Sequence, residues 1–295
     1  MNVAYLFAGQ GAQKVGMGKD LAEAFPKTRE LFERASGILG FDLARVCFEG
    51  PAEELNRTDR CQPALLVHGI ACLEVARAKG FPEAEAAAGL SLGEYTAHVY
   101  AGSLTFEDGV KLLQKRGRFM QEACDATPSG MVSILGLERE KVAQAVEGQG
   151  DVGVANLNCP GQIVISGEAK ALERATARAK ELGAKRAIPL KVAGAYHSVV
   201  MKPAQEKMKA ELAAVRIAKP RIPVYANVSA QPLTDPEEIR AALAGQICAS
   251  VLWEDTVRAM GASKVFEFGP GKVLAGLVKK IDEKAEIVSV EGVSA

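Results

Sequence analysis

Histidine is scarce in this sequence: His68, His98 and His197 are the only three in 295 residues. No pair of them sits at zinc-ligand spacing, so any imidazole chemistry rests on one of three positions. Cysteine adds no metal site. Cys47, Cys61, Cys72, Cys124, Cys159 and Cys248 contain no C-x-x-C pair and read as buried free thiols in a reducing compartment. Charge of one sign is also missing. The 36 Lys+Arg match the 36 Asp+Glu, giving a formal net charge of +0, which argues against nucleic-acid binding through a basic field. No run of about 18 apolar residues occurs, so no membrane span is expected. The stretch Met1–Phe7 has no basic n-region and a short apolar run. It is expected to be a first strand rather than a signal peptide, in a cytoplasmic protein.

What is present suits a large core, in one big domain or two. Helical spacing is expected over Lys19–Ala35, over Pro63–Lys79 with its stop at Gly80, and over the basic amphipathic stretch Phe106–Cys124. Residues 128–192 have a different grammar. Strands at Met131–Leu135, Val152–Asn156, Gln162–Ser166 and Arg186–Leu190 enclose helices at Glu138–Glu147 and Ala169–Leu182. That order, β-α-β-β-α-β, is the ferredoxin-like unit. Around it, in residues 1–127 and 193–295, strands alternate with helices, which implies a largely parallel sheet covered on both faces. The expected fold class is α/β: a core with a mostly parallel sheet and an inserted ferredoxin-like α+β subdomain.

The chemistry concentrates at Gly89-Leu90-Ser91-Leu92-Gly93. A Gly-x-Ser-x-Gly turn between a strand and a helix is a nucleophile elbow, which holds a serine hydroxyl clear of the backbone. The helix behind it aims amide N–H groups at charge developing there. The serine needs a base. His68 lies inside a helix and His98 two turns behind the elbow, pointing away. By elimination the base is His197, in the loop Gly194-Ala195-Tyr196-His197-Ser198. No acidic partner for it stands out. Either a carboxylate is hidden among many, or a neutral carbonyl orients the imidazole.

Two glycine loops invite nucleotide readings that fail. Gly9-Gln10-Gly11 lacks the third glycine of a dinucleotide fingerprint, since position 14 is Lys14. Gly269-Pro270-Gly271-Lys272 lacks the leading glycine and the hydroxyl residue of a P-loop, having Phe266 and Val273 instead. The first loop is better read as backbone donors that complete an oxyanion hole with the amide after Ser91. Lys115, Arg116 and Arg118 form either a solvated basic face or a site where one arginine turns inward to hold a carboxylate.

Six blocks, from Phe7-Ala8-Gly9-Gln10-Gly11-Ala12-Gln13 to Glu267-Phe268-Gly269-Pro270-Gly271-Lys272, resemble the malonyl-CoA:acyl-carrier-protein transacylase family. Between them lie Gly89–Tyr95, Arg116–Gln121, Asn156–Gln162 and Tyr196-His197-Ser198 with Met201-Lys202-Pro203. The resemblance covers essentially the whole chain and implies that residues 1–127 and 193–295 form a hydrolase-like catalytic core. It implies that Ser91 is acylated, that His197 is the base, and that Arg116 pairs with the malonyl carboxylate. It places the oxyanion on the backbone N–H groups of Gln10 and Leu92. It gives the His-orienting role to the Gln246 main-chain carbonyl and puts Asn158 and Leu90 in the pocket. Malonyl-CoA and acyl carrier protein are the implied partners, with no metal or other cofactor and a monomeric chain.

Leu90 departs from the family, which often has histidine before the nucleophile. Tyr196 stands where malonyl-selective members often carry phenylalanine; the ring is kept, so malonyl remains the expected acyl group. The alternatives are a serine thioesterase or esterase with the same elbow, a transferase of different acyl selectivity, and a scaffold that kept the fold.

Overall fold

The computed structural model describes residues 2–294; Met1, which opens the expected first strand, and Ala295 lie outside the described residues. Ten strands are found among them: β1 (Val3–Phe7), β2 (Ala86–Gly89), β3 (Ser129–Leu135), β4 (Val152–Cys159), β5 (Gln162–Glu168), β6 (Arg186–Pro189), β7 (Val224–Tyr225), β8 (Pro232–Leu233), β9 (Lys264–Phe268) and β10 (Glu286–Val290). They form a six-stranded sheet, β10-β9-β1-β2-β7-β8, and a separate four-stranded sheet, β4-β5-β3-β6. The first is parallel except for the short β8, and the second is antiparallel throughout.

The larger sheet positions the site. All five residues of β1 are buried, as expected of a parallel strand covered on both faces. Tyr5 and Phe7 point to one face and stack with Phe268, at ring-centroid distances of 4.6 and 5.7 Å. Leu6 points to the other, where it joins a second cluster with Trp253, Leu274 and Val278. Phe7 of β1 is in register with Gly89 of β2 and with Phe268 of β9. The loops after these three strands therefore leave the same carboxyl edge, where open parallel sheets place their ligands. The smaller sheet has its own core of Ile134, Val142, Ile163, Ile165 and Ala175. Val251 ties it to the rest, donating its N–H to Ala155 O and accepting from Leu157 N.

Several elements differ from expectation for local reasons. The helix expected over Lys19–Ala35 is two, Lys19–Ala24 and Pro26–Leu39. Phe25 between them is extended (φ −125°, ψ 111°), because a residue before proline is pushed out of the helical region. The helix expected from Pro63 begins at Thr58 and runs to Ala78, which places Pro63 inside it; there the missing proline N–H removes one i→i−4 hydrogen bond. The edge strand β10 had no counterpart in the sequence reading. Five cysteines are buried, but Cys248 is half-exposed. No helix among the described residues is long and apolar enough to cross a membrane.

Candidate active site

The elbow is built by close backbone approach. A Cβ on Gly89 would lie 2.0 Å from the Gly93 carbonyl, and one on Gly93 would lie 2.3 Å from Phe7 O, so only glycine fits at either position. Ser91 between them adopts φ 55°, ψ −109° and opens the helix Leu92–Ala101. A non-glycine residue at positive φ is strained unless its surroundings fix it. Asn227, in the loop after β7, does so: its Oδ1 accepts from Ser91 N at 2.7 Å, and its Nδ2 donates to Gly89 O at 2.8 Å.

His197 also has positive φ, 57°. Its Nε2 lies 2.8 Å from Ser91 Oγ and its Nδ1 lies 2.8 Å from Gln246 O. A carbonyl can only accept, so Nδ1 carries the proton and Nε2 turns its lone pair toward the serine hydroxyl. A main-chain carbonyl, not a carboxylate, thus holds the imidazole. Burial, reinforced by the nearby Arg116 charge, pushes the His197 imidazolium down to about 4. The ring is therefore neutral at neutral pH.

Of the clustered basic residues Lys115, Arg116 and Arg118 on the helix Phe106–Ala126, one turns inward. Arg116 is 1% exposed. Its Nη1 donates to Gln62 Oε1 at 2.8 Å; its Nη2 donates to Gln246 Oε1 at 2.9 Å and to Ser91 Oγ at 3.1 Å. Lys115 and Arg118 face outward and pair with Glu211 and Glu122. Among the described residues no acceptor pairs with the backbone N–H of Gln10 or of Leu92. Leu92 is the first residue of the elbow helix, and Gln10 leaves β1 at the same edge. Ser91, His197, Arg116, Gln10, Asn158 and Leu90 all line one cavity of about 760 Å³ between the two sheets. His68 and His98 do not. His68 is buried with Nδ1 3.6 Å from Cys72 Sγ, and His98 is buried with Nδ1 2.8 Å from Ser103 Oγ.

Comparison with known proteins places the whole chain in one family. Residues 4–276 match the acyl transferase domain family. The chain is 46% identical to the malonyl CoA-acyl carrier protein transacylase of Bacillus subtilis (strain 168), covering 98% of this chain and 93% of that protein. The chain belongs to the malonyl-CoA:acyl-carrier-protein transacylase family. The fold of an acyl carrier protein S-malonyltransferase from Vibrio cholerae superposes with a TM-score of 0.96 at 43% identity, covering 100% of this chain and 98% of that one. A malonyl-transacylase in complex with its type II PKS acyl-carrier protein gives 0.95 at 40% identity, covering 100% and 97%.

Within this transacylase framework, Leu90 and Tyr196 also line the cavity. Leu90 brings a half-buried apolar side chain to the cavity wall beside Ser91. The Tyr196 hydroxyl lies 2.9 Å from Thr58 Oγ1 and 3.5 Å from Gln10 Nε2. Sequence reasoning missed three polar side chains that hold the candidate site residues: Gln62 bonds Arg116, Glu94 bonds Gln246 and Asn227 bonds Ser91. Gln62 and Glu94 sit on apolar helices, where a lone buried polar side chain is the only signal. Asn227 had a clearer one, since it follows a strand of the parallel sheet at the edge where loops carry function.

Proposed function

We propose that the chain transfers a malonyl group from coenzyme A to the phosphopantetheine thiol of acyl carrier protein, in two half-reactions through a malonyl-Ser91 ester. The observation that carries the reading is the relay from Ser91 Oγ to His197 Nε2 and from His197 Nδ1 to Gln246 O, both at 2.8 Å. Nε2 takes the hydroxyl proton as Oγ attacks the thioester carbonyl, and Nδ1–H stays on the Gln246 carbonyl. The carbonyl oxygen becomes an oxyanion held by the N–H groups of Gln10 and Leu92, each worth roughly 3 kcal/mol in comparable sites. The C–S bond then breaks, and the imidazolium gives its proton to the departing thiolate. A carrier thiol reverses these steps: it loses its proton to Nε2, its sulfur bonds the acyl carbon, and Ser91 Oγ leaves with the proton. Each half-reaction forms one bond, breaks one and moves one proton, so neither calls for a metal or redox cofactor.

Arg116 is the group for the malonyl carboxylate. Its planar fork suits two parallel hydrogen bonds, and its Nη2 already lies against the nucleophile's oxygen. We read residues 1–127 and 193–295, with the larger sheet, as a hydrolase-like core. Residues 128–192 are then an inserted ferredoxin-like subdomain; the β4-β5-β3-β6 order supports this. The working form is a cytoplasmic monomer.

The test is mass spectrometry after brief exposure to malonyl-CoA. One malonyl group should appear on the peptide that contains Ser91 and disappear when holo acyl carrier protein is added, with malonyl recovered on the carrier. An unmodified Ser91 sinks the reading. Release of free malonate faster than transfer to the carrier would make the chain a thioesterase instead.

A further inference from the structure

The relay just described leaves one buried charge unused. Glu94, in the first turn of the elbow helix, is fully buried, whereas a glutamate there ordinarily faces solvent and meets the helix dipole. Its Oε2 accepts from Gln246 Nε2 at 2.6 Å and from Asn227 N at 3.0 Å. Both partners touch the reacting groups. The Gln246 main-chain oxygen holds His197 Nδ1, its Oε1 holds Arg116 Nη2, and its Nε2 also donates to Ser91 O at 2.9 Å. Asn227 holds the strained Ser91 backbone. One carboxyl therefore sits a single residue away from the nucleophile, the base and the guanidinium.

The bonds also indicate its ionisation. Oε2 already accepts twice, and a proton on the buried Oε1 would find no acceptor, since that atom has no partner. Arg116 needs a compensating charge, because a buried cation without one is costly. The only other fully buried carboxyl among the described residues is Glu267. It is committed elsewhere, accepting from Leu274 N, Ala275 N and Ser289 Oγ.

Resting on the malonyl-transfer reading above, we propose that Glu94 is the positioning residue of the site. Its carboxylate fixes Gln246 and Asn227, so that imidazole and guanidinium are held against one serine, and it is the resting countercharge of Arg116. Burial pushes the carboxyl up to about 7, against the bonds from Asn227 and Gln246 and the pull of Arg116. The titratable groups facing it are Arg116 from the neighbouring helix, Tyr95 on its own helix and, through Gln246, His197. At about pH 8 it is anionic.

The test is single-turnover acylation of Ser91 by malonyl-CoA at about pH 8, with the parent protein, E94Q and E94D. E94Q keeps the shape and removes the charge. Its maximal rate should fall at least about tenfold, the size of a lost charged hydrogen bond. Its half-saturating malonyl-CoA concentration should also fall, because an uncompensated guanidinium grips the malonyl carboxylate harder. A half-saturation that is unchanged or raised overturns the countercharge role. E94D keeps the charge on a shorter stem. Its half-saturation should stay within about twofold of the parent while its rate drops about tenfold as Gln246 slackens. An E94D rate equal to the parent's overturns the positioning role, whether or not E94Q folds. A merely structural Glu94 would lower the amount of active protein in each variant and leave both constants of the active fraction alone. Should the parent itself transfer no malonyl, the functional reading falls and this proposal with it. Should the parent transfer malonyl and both variants match it, only this proposal falls.

Discussion

Arg116 at rest is held by neutral oxygens from Gln62, Gln246 and Ser91. A carboxylate is a better partner than any of the three, since charge-assisted hydrogen bonds are roughly twice as strong as neutral ones. On the proposed role of Arg116, a malonyl group would gain that energy, whereas an acetyl group would leave the guanidinium as it was. Arg116→Ala should therefore slow malonyl acylation of Ser91 by a factor of more than about 100, equivalent to about 3 kcal/mol. Acetyl acylation should fall much less, so the malonyl-to-acetyl ratio drops. Competition between malonyl-CoA and acetyl-CoA, read by intact mass, measures the ratio; an unchanged ratio removes Arg116 from selectivity. Asn227→Ala tests the elbow at the same scale. It strips partners from Ser91 N and Gly89 O, each worth about 1–3 kcal/mol when left buried and unmet. Both the melting temperature and the acylation rate should fall. A loss of stability at full rate would show that Asn227 does not set the nucleophile's geometry.

At the scale of elements, the site depends on how closely β1, β2 and the elbow helix meet. Gly89→Ala forces a methyl into the Gly93 carbonyl, backbone against backbone, where no rotamer relieves it. It should cost about 3 kcal/mol or more, a drop in melting temperature of at least about 5 °C. A melt within a degree of the parent's would mean that the turn is looser than this geometry. Such crowding is legible in sequence, because glycines flanking a serine have few other reasons to be spaced so. The parallel sheet, the β-α-β-β-α-β order and the elbow were legible for the same reason: each follows from short-range pattern. Elements decided by one residue against a longer pattern were not. Pro26 splits a helix that apolar spacing alone joins, and Thr58 starts a helix five residues ahead of the proline that seemed to open it. The polar layer beneath the elbow was the least legible. Glu94 meets Asn227, and Gln62 is joined to them through Arg116 and Gln246, all from segments far apart in the chain; nothing local to any of them says that its partner is buried too.

For the molecule as a whole, the scarcity of histidine becomes a pH property, because all three are buried. Burial pushes His68 to about 4 and His98 to about 3, and burial with the Arg116 charge pushes His197 to about 4. In the unfolded chain each would titrate near 6.5. Between those values the unfolded state binds protons that the folded state refuses, so stability rises with pH there. The histidine contribution is complete above 6.5 and is lost as pH falls toward 4. Glu94, raised by burial to about 7, and Glu267, also raised by burial, have the opposite sign. They bind protons first in the folded state, so their effect is to weaken folding as pH rises, for Glu94 from about 4.5 to 7. Three imidazoles outweigh two carboxyls, and unfolding near pH 5.5 should take up protons overall. The melting temperature should accordingly fall between pH 7 and pH 5. His68→Asn and His98→Asn, which retain polar groups but cannot titrate in this range, should each flatten that slope. A melting temperature that holds or rises on acidification would mean that at least one of these rings already carries its proton in the native protein. His197 is the ring for which that matters most, since an imidazolium there has no lone pair to receive the Ser91 proton.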